Sequence, residues 1–320
     1  MKTVLLITER FDPTADLIIS ELRRREVPCV RWNLDQIPTG STLTYRASNE
    51  RFDSHIVTDG RTINLADVAS IWWRGFQPSG FPANLVGEQR QFAIMEWRLA
   101  LMALMKIGDF FWINHPERER LADSKPAQLY AARKFGLEIA PTIITNNPDE
   151  VRSFLAHTKG AVVYKGLTQP LNMEPGKALF TRQLTEKEIA NLDLISVTPG
   201  IFQAHIEKAY EVRATVVGSR IFAAKIDSQS AFATRTDWRR APFEVQYEAI
   251  SLPPEIETGI HDLMRHFDLV YGAFDFIVAP DGRHLFLEVN PAGQYMWIEY
   301  ATGLKITEAL ADALGEPCSA

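Results

Sequence analysis

The chain has 320 residues, 46% hydrophobic and 23% charged, with a formal net charge of −6; it is long enough for two or three lobes and too acidic overall for a general nucleic-acid binder. Its two cysteines, Cys29 and Cys318, exclude a disulfide framework or a cysteine zinc site, so a reducing cytoplasm is expected. The opening MKTVLLITER has too short an apolar run for a signal peptide, no stretch approaches a membrane span, and no internal repeat or low-complexity tail is present.

Lys2 to Thr8 reads as a buried strand, and Asp12-Pro13-Thr14 opens a helix running to about Arg25. Pro28 to Trp32 reads as the next strand, so the chain begins as an α/β lobe. Short strands follow at Ser41–Ala47 and His55–Thr58, then a buried one at Val68–Trp73 ending in Arg74-Gly75. Between Glu88 and Ile107, Phe92, Met95, Leu99, Met102 and Met105 recur at helical spacing, which predicts one long amphipathic helix with these residues on its apolar face. Phe110 to Asn114 is a strand, and His115-Pro116 marks a first boundary.

Leu121 to Phe135 reads as a helix with Gly136 as its C′ residue. Asn147-Pro148-Asp149-Glu150 combines an N-cap, a first-turn proline and first-turn acids, and that helix ends at Gly160. Ala161 to Tyr164 is a strand leading into Lys165, and Thr185-x-x-Glu188 is a capping box. After Pro199-Gly200 come strands at Ile201–Ile206, Glu211–Val217, Arg220–Ile226, Ala273–Val278 and His284–Val289. Helices cover Pro253–His266 and Thr307–Leu314. The pattern predicts an α/β lobe over 1–116 followed by two α+β lobes over 117–203 and 204–320.

The chemistry gathers at the strand His284–Val289. Side chains alternate along a strand, so Glu288 and Asn290 share a face while Val289 turns inward. Ala279-Pro280-Asp281-Gly282 is a hairpin turn signal, and closing it brings Asp275 beside Glu288 and Asn290. Two carboxylates and an amide oxygen form a hard donor set of the kind Mg²⁺ takes, together with water and phosphate oxygens. The same residues also read as solvated strand-end acids; two like charges across a hairpin are unfavourable without a cation, which favours the metal. The chain lacks G-x-x-x-x-G-K-[ST], a strand-linked G-x-G-x-x-G, H-E-x-x-H and C-x-x-C. The phosphate-contact candidates are therefore dispersed cations: Lys125, Lys165, Arg213 and Lys225. Each alone also reads as a side chain snorkelling from a strand or helix end.

In order and approximate spacing, several segments resemble the ATP-grasp ligases: Lys125, Lys165, Ile201-Phe202-Gln203-Ala204-His205-Ile206-Glu207-Lys208, Glu211-x-Arg213, Val216-Val217-Gly218 and Asp275…Glu288-x-Asn290-Pro291. Others resemble the microviridin-type peptide macrocyclases, the graspetide synthetases, within that superfamily: Trp72-Trp73-Arg74, Trp112-Ile113-Asn114-His115-Pro116, Asn290-Pro291-Ala292-Gly293-Gln294, Trp297-Ile298-Glu299 and Thr302-Gly303-Leu304. The resemblance is dense after Trp112 and loose before Trp72.

The resemblance implies a three-lobed ATP-grasp fold, with an N-terminal α/β pre-ATP-grasp lobe, a central lobe and a C-terminal lobe, and ATP gripped between the last two. Lys125 and Lys165 take the place of the nucleotide lysines. Gln203, His205, Ile206 and Glu207 match the hinge that reads adenine; an acid nearby serves ribose, and Glu211 is counted with this nucleotide set. Asp275, Glu288 and Asn290 match the Mg²⁺ ligands. Arg213 matches the arginine near the γ-phosphate and the acyl phosphate, and Lys225 and Arg239 are counted with it as catalytic. Two departures stand out: residues 166–176 are not the Gly-rich flap of amino-acid ligases, and Gly75-Phe76 follows Arg74 where many relatives have a second Arg and Pro.

The implied activity is ATP-dependent activation of an Asp or Glu side chain of a precursor peptide as an acyl phosphate. A Ser/Thr hydroxyl or Lys amine of the same peptide then attacks, closing an ester or amide ring. Asp227, His205 and Glu299 are the candidate bases. Arg235, Arg239 and Arg240 form a basic stretch suited to an acidic core peptide, Thr185–Pro199 is where the leader is expected, and a homodimer is a family expectation. The competing readings are a ligase of the ribosomal-protein-modifying or glutathione-synthase type, or an ATP-grasp fold serving only to bind. Trp72-Trp73-Arg74 and the Asn290–Gln294 segment favour the macrocyclase, and the intact lysines and metal ligands oppose a purely binding role.

Overall fold

The computed structural model describes residues 2–75, 78–159, 161–168 and 182–316. Phe76, Gly160 as a helix end, positions 169–176 of the stretch after Lys165, and Cys318 lie outside the described residues.

The chain opens with β1 (Thr3–Thr8), α1 (Pro13–Arg24) and β2 (Cys29–Asn33), then a meander of β3 (Ser41–Ala47), β4 (Phe52–Thr58) and β5 (Arg61–Asn64). β6 (Val68–Trp73), α2 (Gly87–Met102), α3 (Leu104–Ile107) and β7 (Phe111–Ile113) complete the first lobe. Its main sheet runs β2-β1-β6-β7, all parallel, with β3-β4-β5 as a separate antiparallel sheet. Asp12 caps α1 by accepting from the amides of Thr14 at 3.0 Å and Ala15 at 3.2 Å, as the Asp-Pro-Thr start predicts.

Two helices follow, α4 (Pro116–Ala122) and α5 (Lys125–Lys134), then β8 (Glu138–Ile139), β9 (Thr142–Thr145), α6 (Pro148–His157) and β10 (Val162–Lys165). β11 (Arg182–Gln183), α7 (Glu186–Ala190) and β12 (Gly200–Ala204) close an antiparallel sheet of order β11-β10-β12-β9. Asn147 caps α6, and the Thr185–Glu188 capping box starts α7. The last sheet, β15-β14-β13-β16-β17-β8, is built from β13 (Tyr210–Val217), β14 (Arg220–Ile226), β15 (Tyr247–Ile250), β16 (Tyr271–Val278) and β17 (His284–Asn290), with β8 as its parallel edge. α8 (Pro254–Phe267) buries Ile260, Leu263 and Met264 against one face of it, and α9 (Met296–Thr302) and α10 (Ile306–Gly315) follow β17.

Two helical expectations need correction. The run from Glu88 to Ile107 is broken at Ala103, and its recurring residues Phe92, Met95, Leu99 and Met102 face solvent, Phe92 being 68% exposed. Leu101 and Leu104 are the residues that enter the core instead. The single helix expected over Leu121–Phe135 is two helices, because Pro126 in the first turn of α5 lacks the amide that would continue α4 through Asp123-Ser124. Strands β5, β8, β9, β11 and β15 and helix α9 carry no strong periodicity and lie outside the elements that the sequence predicts.

α10 is the bolt between the first and last lobes. Its Ile306, Leu310 and Leu314 pack with Ile18 and Leu22 of α1 and with Val217 and Tyr271 of the large sheet. Each such side chain contributes roughly 1.5–3 kcal/mol on burial. Ser70 on β6 donates to the Leu314 carbonyl at 2.7 Å, and Asp312 pairs with both Arg25 and Arg220. This packing fixes the C-terminal end of the first sheet beside the end of β17. Among the described residues no helix is long and apolar enough to cross a membrane.

Candidate functional site

Strand register assembles the polar face. Arg213 on β13 lies opposite Asp275 on β16; Asp275 lies opposite Glu288 on β17, and Ala273 opposite Asn290. Cross-strand partners share a face, so Arg213, Asp275, Glu288 and Asn290 project from the same side of the sheet. Each carboxylate meets a cation. Arg213 Nη1 donates to both Asp275 oxygens at 2.8 and 2.9 Å, and Lys125 Nζ sits 2.6 Å from Glu288 Oε2. Burial would raise the Glu288 carboxyl, but Lys125, with Arg239 and Lys165 beyond it, holds it well below the usual range.

Above this edge opens a cavity of about 540 Å³ between the second and third sheets, a size suited to a nucleotide-scale ligand. Lys125, Lys165, Glu211, Arg239, Glu288 and Asn290 line it, as do Gln203, His205 and Ile206. Lys165 ends β10, and its Nζ donates to Gln203 Oε1 at 2.8 Å. Gln203 Nε2 donates in turn to Thr142 Oγ1 at 2.9 Å, which fixes the amide's orientation. Burial pulls the Lys165 ammonium down from its ordinary value; Glu288 opposes the shift and Arg239 adds to it. Burial raises the Glu211 carboxyl, partly offset by Lys208 at 2.5 Å. Arg239 is held firmly charged: burial opposes this, but Asp237, Asp275 and Glu288 outweigh it.

Four of the expected residues do not line the cavity. Arg213 and Asp275 are buried, 7% exposed each, in their mutual ion pair. Glu207 faces solvent. Lys225 pairs in register with Val212 and so points to the opposite face from Glu211 and Arg213; its Nζ lies 5.0 Å from the Tyr210 ring centre. Of the candidate bases, His205 lines the cavity, whereas Glu299 accepts from the Thr307 amide at 2.6 Å and caps α10.

Asp123, Lys208 and Asp237 also line the cavity and were given no role by sequence. Burial raises Asp123 despite Lys125 nearby. The available signals were Asp123 two residues before Lys125, and the Lys208-x-x-Glu211 spacing. Glu119, on α4, was missed altogether. Its Oε1 is enclosed without a hydrogen-bond partner, and burial, with Asp123 adding to it, pushes the carboxyl up to about 9 although Arg74 opposes the shift.

The donor set Asp275, Glu288 and Asn290 is all oxygen, the chemistry a hard divalent cation takes; here Arg213 holds both Asp275 oxygens and Lys125 holds Glu288 Oε2. Among the described residues no group of three or more His, Cys, Asp or Glu could hold a metal, so the fit rests on two carboxylates and an amide. Asn290 is shaped for this by the turn after it: its Oδ1 accepts from the Ala292 amide at 2.9 Å.

That turn is held from four directions. The Pro291 carbonyl accepts from Asn114 Nδ2 at 2.8 Å, and the Ala292 carbonyl from Arg74 Nη1 at 3.3 Å. The Gly293 carbonyl accepts from the Tyr271 hydroxyl at 2.5 Å, and the Gln294 carbonyl from Arg213 Nη2 at 3.1 Å. Gly293 has no room for a side chain, since a Cβ there would meet Ala273 Cβ at 2.6 Å. Arg74 is fixed by Asp12 at 3.2 Å, and Asn114 also bonds the Val270 and Tyr271 amides and the Tyr271 carbonyl. The Trp-Trp-Arg and Trp-Ile-Asn segments of the first lobe thus reach the Glu288–Asn290 edge through the backbone of one turn.

Residues 3–120 match the model of the MvdD pre-ATP-grasp domain. Over its whole length the chain is similar to a RiPP-associated ATP-grasp ligase of Chryseobacterium gregarium, solved in complex with ADP and a leader and core peptide. Identity is 29%, covering 100% of this chain and 98% of that one, with a TM-score of 0.91. Macrocyclase MdnC from Microcystis aeruginosa MRC, bound with precursor peptide MdnA, is 30% identical over 98% of this chain and 99% of its own, with a TM-score of 0.88. Macrocyclase MdnB from the same source is 26% identical over 98% and 99%, with a TM-score of 0.84. No curated protein sequence matches the chain.

Proposed function

The chain belongs to the ATP-grasp macrocyclase family that includes MdnC, to which it is 30% identical over 98% of its length, and from that premise we propose that it closes side-chain rings in a ribosomally made precursor peptide. It is an ADP-forming ATP-grasp ligase; the reading concerns what it ligates. The carboxylate is an Asp or Glu side chain, activated by ATP as an acyl phosphate. A Thr or Ser hydroxyl, or a Lys amine, of the same peptide displaces phosphate and leaves an ester or amide. Lobes at 1–116, 117–203 and 204–320, with ATP between the last two, belong to this reading.

One observation carries it: lysines from two separate elements, Lys125 and Lys165, meet Glu288 and Asn290 around one nucleotide-sized cavity. The Gln203–Ile206 backbone would receive the base, and Lys165 and Arg239 would meet phosphoryl charge. Asp275, Glu288 and Asn290 would hold Mg²⁺, which supplies Lewis-acid neutralisation of phosphoryl oxygens. With Lys225 turned to the opposite face, Arg239, which lines the cavity, is the cation proposed for the acyl-phosphate end, with Arg213 behind it on Asp275. Holding both reacting groups on one folded peptide supplies much of the rate. The leader is proposed to lie on Thr185–Pro199. A second copy of the chain is proposed to cover the exposed row Phe92, Met95, Leu99 and Met102 of α2.

The test uses the peptide encoded by a short reading frame beside the gene, rich in Thr/Ser and Asp/Glu, incubated with protein and Mg-ATP. Release of ADP and phosphate with loss of one water per ring is the expected result. Turnover only with free amino acids would overturn the reading in favour of an ordinary amide ligase.

A further inference from the structure

The segment joining β14 to β15 sends one aromatic inward and two outward. Phe232 and Phe243 are 88% and 100% exposed, whereas Trp238 is only 7% exposed. The Trp238 ring lies 4.6 Å from that of Trp297 on α9 and 6.3 Å from that of Tyr247 on β15, and the last two rings are 5.1 Å apart. Ile226 and Val245 complete this apolar seat. The residues around Trp238 are tied to the cavity. The Thr236 carbonyl accepts from Lys208 Nζ at 3.2 Å. Asp237 Oδ1 accepts from both the backbone amide and Nε of Arg239, at 3.1 Å each. Arg239, the next residue after the seated tryptophan, lines the cavity. Trp297 is shared with the metal edge: Arg213 Cζ lies 5.9 Å from its ring centre, in cation–π range, while the same guanidinium grips Asp275.

We propose that Trp238 is a latch: seated on Trp297 and Tyr247, it positions Arg239 in the cavity that Glu288 also lines, so that seating of this segment governs turnover while nucleotide affinity is set elsewhere. The inference rests on the cavity being the nucleotide site of the proposed reaction. Trp238 touches no expected reactant, so it is a positioning residue. It acts through Arg239. An indole tilted against Trp297 at 39° and edge-on to Tyr247 at 84° sits in a seat of fixed geometry, and releasing it frees the arginine one residue away.

Four variants test it: W238A, W238F, R239A and W238A/R239A. W238A is expected to lower kcat for peptide-dependent ADP formation at least roughly tenfold, while KM for ATP and calorimetric Mg-ADP affinity stay within about threefold of wild type. W238F restores most of kcat because it keeps a ring in the seat. The double variant falls no further than R239A, since two residues acting as one unit are non-additive. Independent, multiplied losses would overturn the latch. A second readout needs no activity: limited trypsin digestion. Cleavage after Arg235, Arg239 and Arg240 should be at least roughly tenfold faster in W238A than in wild type or W238F, with the melting midpoint little changed. Equal cleavage rates overturn the proposal. Accelerated cleavage in a protein that cyclises no peptide supports the latch and removes the proposed substrate instead.

Discussion

Asp275 and Glu288 sit opposite each other across two strands, yet neither faces the other's charge unneutralised, because Arg213 and Lys125 each hold one of them. Asp275 is buried, and Glu288 is half-buried and lines the cavity. Glu288→Gln keeps the shape and removes the charge, so it should cut peptide-dependent turnover about 100-fold or more. Its melting midpoint should stay close to wild type, and steady-state ADP assays beside thermal melts check both outcomes. A variant that cyclises at the normal rate removes Glu288 from the metal set. Glu119 makes a different prediction. Its folded value, about 9, lies above the ordinary carboxyl value of 4.5. Its contribution to stability is therefore fully present below the unfolded value and is lost as pH rises through the folded one. Wild type should lose melting temperature between about pH 5 and about pH 9, and Glu119→Gln should lose distinctly less over the same range.

At the scale of elements, alternation and register were legible. The hairpin of β16 and β17, the alternation of Glu211 and Arg213, and the caps at Asp12, Asn147 and Thr185 are local, and local physics writes them into short windows of sequence. What was not legible depends on distant partners. Lys225 looks like a strand-end cation, and only its register opposite Val212 turns it away from the cavity. The carbonyls of residues 291–294 find their donors at Asn114, Arg74, Tyr271 and Arg213, and no window of sequence shows that. Helix α2 misled because periodicity reports an apolar face without saying what covers it. Its exposed Phe92 and Leu99 lie seven residues apart on one stripe. Replacing both with Glu should turn a dimer into a monomer by light scattering while leaving circular dichroism unchanged. A wild-type protein that is monomeric at micromolar concentration would show that this stripe is not a dimer seam.

At the scale of the whole molecule, the cavity lies between two sheets, so a ligand that bridges them should resist their separation. Mg-ADP at about 100 times its Kd should stabilise the protein by about 2.7 kcal/mol. Chelating the metal should remove most of the resulting shift in melting temperature, provided Asp275, Glu288 and Asn290 hold it. A shift that is indifferent to the chelator would place nucleotide affinity in the lysines alone.

The turn after β17 carries one more consequence, for exchange of parts between relatives. Two of its four carbonyls are held by first-lobe side chains, Arg74 and Asn114, and two by the sheet from which the turn emerges. The first lobe therefore cannot be swapped as an independent cassette. A chimera joined at residue 116 will work only if the incoming lobe presents an arginine and an asparagine at the matching places. Changes in the first lobe are thereby tethered to the turn after β17 by two side chains.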